Sequence, residues 1–384
     1  MTLDLVAIRQ EFPLLQRKTY LNSCSYGVLS RTVERGFMQY LESRHERGAQ
    51  WDAWVGQLEA MRREVARLLH CGADDVSLST SLSESVNMLA SSLDFGGKRN
   101  TVVATDFDFP TTSQIWLAQE RRGARVVRAK ADASGTNIPL ERFAELIDER
   151  TLLVSVPYVC YRNGVKLDIG PIIELAQSRG ALVLVDAYQA IGAFPISAPK
   201  TGADFMAGGC LKYLLGTAGA AFMYVRNSGD GSASPTMTGW FAQENIGAMD
   251  IYHHRPAHNA RRFATGTPNV SATYACAAGI DLLLKTGLEA VQAQIVHLTG
   301  LIADGVKSRG WKLVTPAEPD RHGALMAIAS TDAPSLVNAL GAEDIITSDR
   351  DGNLRVSPHF YNNDEDIDML FRALERHAAL LRRA

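Results

Sequence analysis

Several features that would narrow the field are missing from this sequence. Its 384 residues hold five cysteines, Cys24, Cys71, Cys160, Cys210 and Cys276, none in CxxC spacing. An odd, scattered set of thiols excludes a disulfide framework and a zinc ribbon, and suits a reducing, cytoplasmic setting. No apolar run approaches the ~20 residues of a membrane span. The opening MTLDLVAIRQEFPLL carries acidic residues and no small-residue cleavage site, unlike a secretion signal. Charge of neither sign dominates: the formal net charge is -3, which argues against nucleic acid or an acidic membrane as a partner. No GxGxxG follows a first strand, and GTAG (216–219) is too short for a dinucleotide fingerprint. His253, His254 and His258 in YHHRPAHNARR have no ligand spacing, so a solvated loop is expected there and no metal. There is no internal repeat and no low-complexity tract.

What is present describes a globular chain, with 46% hydrophobic and 21% charged residues. Its length suggests roughly two domains of about 150 residues. Short β-rich runs alternate with helical patterns: TVVAT (101–105), ARVVRA (124–129), TLLVSVPYV (151–159), a helix over IGPIIELAQSRG (169–180), ALVLVDA (181–187) and AAFMYV (220–225). Strands nearly continuous in Val, Leu and Ile and separated by helices predict an α/β fold, its mostly parallel sheet covered on both faces. RNSGDGSASPT (226–236) reads as an exposed Gly/Ser connection. Long helical patterns after Thr267 lead into a C-terminal α+β segment. The expected division is a large domain over 17–280 and a small one over 281–384, completed by 1–16.

One residue stands out. In ADFMAGGCLKYLLGTAGAAFMYV (203–225) the only charges are Asp204 and Lys212, and lysine is seldom buried unless paired. It is either a snorkelling side chain or an amine whose pKa falls on desolvation, making it a nucleophile for carbonyls. Asp186 closes the strand ALVLVDA, where it is either a helix cap or a carboxylate meeting a ligand at the strand ends of an open sheet. A lysine that condenses with an aldehyde and an acid that protonates a pyridine nitrogen together form the working pair of pyridoxal phosphate chemistry.

From about Tyr20 to Asp368 the chain resembles the class V group of fold-type I pyridoxal-phosphate enzymes, which contains cysteine desulfurases, isopenicillin N epimerase-like proteins and kynureninases. The resemblance rests on the order YLNS (20–23), SLSESVN (81–87), DFDFPTTSQIW (106–116), VDAYQAIGAFPI (185–196), the Lys212 segment, GTPNVSA (266–272) and LRVSPHFYNNDEDID (354–368). It implies the fold-type I architecture, a large domain around a mostly parallel, seven-stranded type of sheet and a small C-terminal α+β domain. The implied cofactor is pyridoxal 5'-phosphate, held by Lys212 as a Schiff base. Asp186 matches the acid on the pyridine nitrogen, Gln189 the residue at the phenolic oxygen and Phe109 the ring-stacking position, although Phe109 also reads as core. Leu82 and Ser83 match the phosphate turn at a helix N-terminus, and Ser83 also reads as a plain cap. Thr267 matches a residue that reaches the phosphate from the other subunit, which implies a homodimer. Trp240 falls near the cofactor phosphate or substrate, or in the core. On the substrate side the matches are Arg355 for the carboxylate, Thr112, Ser23 and Tyr161. Arg355 also reads as an exposed C-terminal arginine, and Cys24 as a buried, unreactive thiol.

Leu211 and Gly209 stand where several relatives carry His or Tyr and a hydroxyl residue, so phosphate binding is expected to lean on Ser83, the backbone and Thr267. No cysteine follows Cys276, which argues against persulfide-forming desulfuration. The expected activity is a β-lyase cleaving a C–S or related bond of an amino acid; transamination and epimerisation are the alternatives.

Overall fold

The structure, a computed structural model, describes residues 3–230 and 233–384. The chain opens with α1 (Leu5–Gln10) and the two-residue β1 (Thr19–Tyr20), then α2 (Arg31–Arg47) and α3 (Trp51–Leu69). The alternating region follows: β2 (Val76–Ser79), α4 (Leu82–Ser92), β3 (Thr101–Thr105), α5 (Pro110–Ala118), β4 (Arg125–Ala129), α6 (Leu140–Ala144) and β5 (Thr151–Pro157). It continues through α7 (Ile169–Ser178), β6 (Leu182–Asp186), α8 (Ala198–Thr201), β7 (Phe205–Gly209) and β8 (Ala221–Val225). The C-terminal part holds α9 (Val270–Thr286), α10 (Leu288–Ser308), β9 (Met326–Ala329), α11 (Ala333–Ala342), β10 (Ile345–Ile346), β11 (Ser348–Arg350), β12 (Asn353–Val356) and α12 (Asp364–Arg376).

Seven strands form the central sheet in the order β2-β8-β7-β6-β5-β3-β4. The pairs β7–β6, β6–β5, β5–β3 and β3–β4 are parallel, whereas β8 runs antiparallel to both β2 and β7. Side chains alternate across such a sheet. Val103, Val154, Val183, Val185 and Met206 enter one apolar core; Val102, Leu153, Leu184, Phe205 and Ala207 enter the other. Burial on both faces is why these strands lack polar alternation. The mostly parallel α/β sheet expected from the sequence is what the chain forms.

A third core gathers Leu298, Ile302 and Val306 of α10 with β9, β12, α11 and α12. The first half of α10 (Leu288, Val291, Ile295) packs instead in the first core, so this helix bridges the two. α12 starts in a capping box between Asn363 and Asp366. Asp366 also takes an ion pair from Arg9 at 2.7 Å, fastening the N-terminal helix to the C-terminal one. Of the loop 226–236, Ser228–Asp230 form a single 3-10 turn, and residues 231 and 232 lie outside the described residues. Among the described residues, no helix is long and apolar enough to cross a membrane.

Candidate active site

The carboxyl ends of the parallel strands open into a cavity of about 310 Å³, where ligands of open α/β sheets bind. Its wall includes Ser25, Leu82, Ser83, Phe109, Tyr161, Asp186, Tyr188, Gln189 and Lys212.

Lys212 follows β7 in the turn before β8. Among the described residues its amine has neither hydrogen bond nor ion pair; it lies over the rings of Tyr188 (4.5 Å to the centroid) and Phe109 (5.6 Å). Burial lowers its pKa to about 8, and the Arg355 charge adds to that, against the opposing pull of Cys24 and Asp186. The turn is closed from below by the N-terminal segment. Gly27 N–H donates to the Leu211 carbonyl at 2.7 Å, and a Cβ at Gly27 would overlap the Lys212 carbonyl oxygen. His359 Nε2 sits 2.9 Å from the Tyr213 carbonyl. Burial holds that imidazole at about 4, so it is a neutral N–H donor at physiological pH.

Asp186 ends β6, and burial pushes its carboxyl above the ordinary carboxylate range; the Tyr188 N–H and Lys212 pull it back. Oδ1 accepts from the Tyr188 N–H at 2.9 Å, while Oδ2 has no partner among the described residues. Behind it, Asp108 accepts from Thr105 Oγ1 at 2.6 Å. Burial first, and the Asp186 charge, raise the Asp108 carboxyl to about 7 although Thr105 and Arg128 oppose the shift. Gln189 Nε2 donates to the Cys24 carbonyl at 3.0 Å, and its Oε1 is buried without a partner. Cys24 itself is only 1% exposed.

At the far end, Ser81 caps α4 by accepting from the Glu84 N–H. The N–H groups of Leu82 and Ser83 at the first turn have no partner among the described residues, and Ser83 Oγ donates to Thr111 Oγ1 at 3.4 Å. Orphan donors at a helix start attract an anion. Phe109, 41% exposed, leans edge-on against Tyr161 at 4.9 Å.

Arg355 is buried, not an exposed C-terminal arginine. It lies on β12, donating to the Tyr161 carbonyl (2.9 Å), Ser25 Oγ (3.2 Å) and Ser348 Oγ (3.0 Å). No described carboxylate pairs with it, and its Nε has no partner. A buried, unpaired guanidinium is costly unless an anion meets it.

Four expected residues lie elsewhere. Ser23 Oγ is buried against Tyr361 Oη at 2.7 Å, and Ser25 takes the place at Arg355. Thr112 turns back onto the Phe109 carbonyl, leaving Thr111 on the wall. Thr267 lines a separate small cleft with Glu84 and Thr265. Trp240 packs on Phe241 and Trp51, with centroids 4.4 and 5.9 Å away. Sequence reasoning missed Ser25, Tyr188 and Ser348. The signal for Tyr188 was its place between Asp186 and Gln189; only the folded chain brings the serines to Arg355.

The sequence model of the Aminotransferase class-V family matches residues 35–370. The chain belongs to the class-V aminotransferase family. Within that family it is 35% identical to the uncharacterized aminotransferase YcbU of Bacillus subtilis, over 94% of each chain. It is 26% identical to a kynureninase of Geobacillus thermodenitrificans, covering 94% of this chain and 88% of that one. In fold it matches a cysteine desulfurase from Thermococcus onnurineus with a TM-score of 0.87 at 21% identity, covering 98% of both chains. This class-V chain is an enzyme whose cofactor is pyridoxal 5'-phosphate. The cavity suits that group: an unpaired amine, a carboxylate oxygen and a glutamine oxygen without partners, an uncovered aromatic face and free helix N–H groups share one wall.

Proposed function

We propose that this class-V enzyme is a β-lyase that breaks a C–S or related bond at Cβ of an amino acid. The carrying observation is that Lys212 lines the cavity, Arg355 is bonded to its wall residues Ser25 and Tyr161, and neither cation makes an ion pair among the described residues. Pyridoxal phosphate supplies an aldehyde for the amine and a ring that accepts electrons from the substrate. Arg355 receives the substrate carboxylate through its planar fork, steadied by Ser25, Ser348 and the Tyr161 carbonyl. Lys212 Nζ, held near pKa 8 by burial, is neutral often enough near pH 8 to take the proton from substrate Cα and to return one. Asp186 Oδ2 would accept from the ring nitrogen of the bound cofactor and keep it protonated. Gln189 has one amide N–H uncommitted after its bond to Cys24 and offers it to the phenolic oxygen. Phe109 would cover the ring, and the start of α4 would hold the phosphate. Thr267 lies outside its own chain's cavity, in keeping with a homodimer in which it completes the partner's site.

Kynureninase-like similarity along nearly the whole chain supports chemistry at Cβ. Cysteine desulfurases are also among the similar folds, but no cysteine lies beyond Cys276, so no thiol in the last part of the chain is available to carry a persulfide. The similarity to YcbU favours a second reading, transamination. The deciding assay offers cystine, cysteine conjugates and kynurenine-like amino acids to the loaded enzyme. Release of pyruvate with ammonia, or of alanine without it, and no need of a keto-acid acceptor is expected; strict dependence on an acceptor would establish transamination instead. Borohydride reduction should leave the cofactor on the Lys212 peptide, and Lys212→Ala should abolish that label.

A further inference from the structure

The hydroxyl of Tyr188 has no task in the reading above. It belongs to the cavity wall with Ser81, Leu82, Ser83 and Lys212, yet among the described residues its Oη has no hydrogen-bond partner. The ring lies flat on Gly209: a Cβ there would overlap Tyr188 Cε2, Cζ and Oη. From the end of β6 the side chain therefore crosses the end of β7. The register continues that line, because Gly209 pairs with Ala221 and Ala221 with Ser79, the residue that leads into α4. The ring packs against the core that contains Leu82 and Val86 of α4. Lys212 Nζ lies over it, 4.5 Å from the ring centroid. Tyr188 thus points from the carboxylate end of the cavity to its anion-binding end. Burial, and then the neighbouring Cys210 and Asp186, push its phenol far above the ordinary value, so it keeps its proton and can only gain by donating it.

We propose that Tyr188 Oη donates a hydrogen bond to the cofactor phosphate, beside the Leu82 and Ser83 N–H groups and Ser83 Oγ. Gly209 brings no side-chain donor to this end of the sheet, and its missing side chain is what lets the phenol occupy the position. The proposal rests on the phosphate lying at the start of α4, and the test separates the two ideas.

Apo wild type and Tyr188→Phe are titrated with pyridoxal 5'-phosphate and with pyridoxal, which lacks the phosphate, by equilibrium dialysis and tryptophan fluorescence quenching. Phenylalanine keeps the ring on Gly209, and an unchanged apo Tm verifies the fold. The expected result is about tenfold weaker binding of pyridoxal phosphate, the range for a lost bond to a charged acceptor, with pyridoxal binding unchanged. Equal affinity of the two proteins for pyridoxal phosphate would overturn the proposal, as would an equal loss for both ligands, which marks the ring and not the hydroxyl. If Ser83→Pro, which removes both the Ser83 N–H and its Oγ from the first turn of α4, keeps the apo Tm and leaves the preference of wild type for the phosphorylated ligand intact while Tyr188→Phe lowers it, Tyr188 stands and the α4 placement falls.

Discussion

Lys212 carries the chemistry because the protein denies its amine a partner. Its pKa of about 8, against 10.5 for an ordinary lysine, means that folding forces an ammonium into a place that favours the neutral form. Native apoprotein binds this proton less readily than the unfolded chain, so the penalty is complete below pH 8 and fades as pH rises towards 10.5. Apo Lys212→Met should therefore unfold at higher denaturant than apo wild type at pH 7, by about 1–3 kcal/mol. That gap should narrow between pH 8 and 10.5; a constant gap across that range would contradict a strained amine. The lysine was legible in the sequence as a lone cation among small and aliphatic residues. The placement of Ser23 was not legible, because Tyr361, from the other end of the chain, takes its hydroxyl and leaves Ser25 at Arg355.

Among elements, the turn from β3 to α5 shows how a connection is built to serve the site. Asp108 folds back on Thr105 through two bonds, one from Thr105 Oγ1 and one from its N–H, and so sets the direction of Phe109 and of α5. The cost is a second buried carboxyl next to Asp186. Since its folded pKa of about 7 lies above the ordinary value of 3.8, the native state gains protons relative to the unfolded one, and stability falls as pH rises between those values. Asparagine cannot ionise. The stability of Asp108→Asn relative to wild type should rise from pH 4 to pH 8 in urea titrations; a flat difference would mean that Asp108 is ionised throughout. The strands β3 to β6 were readable from their Val and Leu runs, to within two residues at their ends. β7 was not, because FMAGG has glycines where the Phe222 and Tyr188 rings lie on the backbone. The reversed direction of β8 was not readable either, since strand sense depends on which neighbour it meets.

In the molecule as a whole, residues far apart in sequence converge on one cavity, but Thr267 does not join them in its own chain. If it serves a partner's phosphate, activity should be restored by mixing. Lys212→Ala and Thr267→Ala homodimers, each impaired, should regain activity when unfolded together and refolded, because one site of each hybrid combines an intact lysine with an intact threonine. No gain over the separate proteins would assign Thr267 to its own subunit or to no site. The order of motifs made the family and the large sheet legible. How α10 divides its two halves between two cores was not, since one uninterrupted apolar stripe serves both.

The weave beneath the lysine also bears on biogenesis. Gly27 and Ser25 come from an early part of the chain, Gln189 and Lys212 from its middle, and Arg355 from a late strand, and β1 is held by β10 in parallel. A ribosome must therefore expose nearly the entire polypeptide before the vitamin has a finished seat. Loading with the coenzyme is in this sense a post-translational event, and its yellow colour is a mark of completed synthesis.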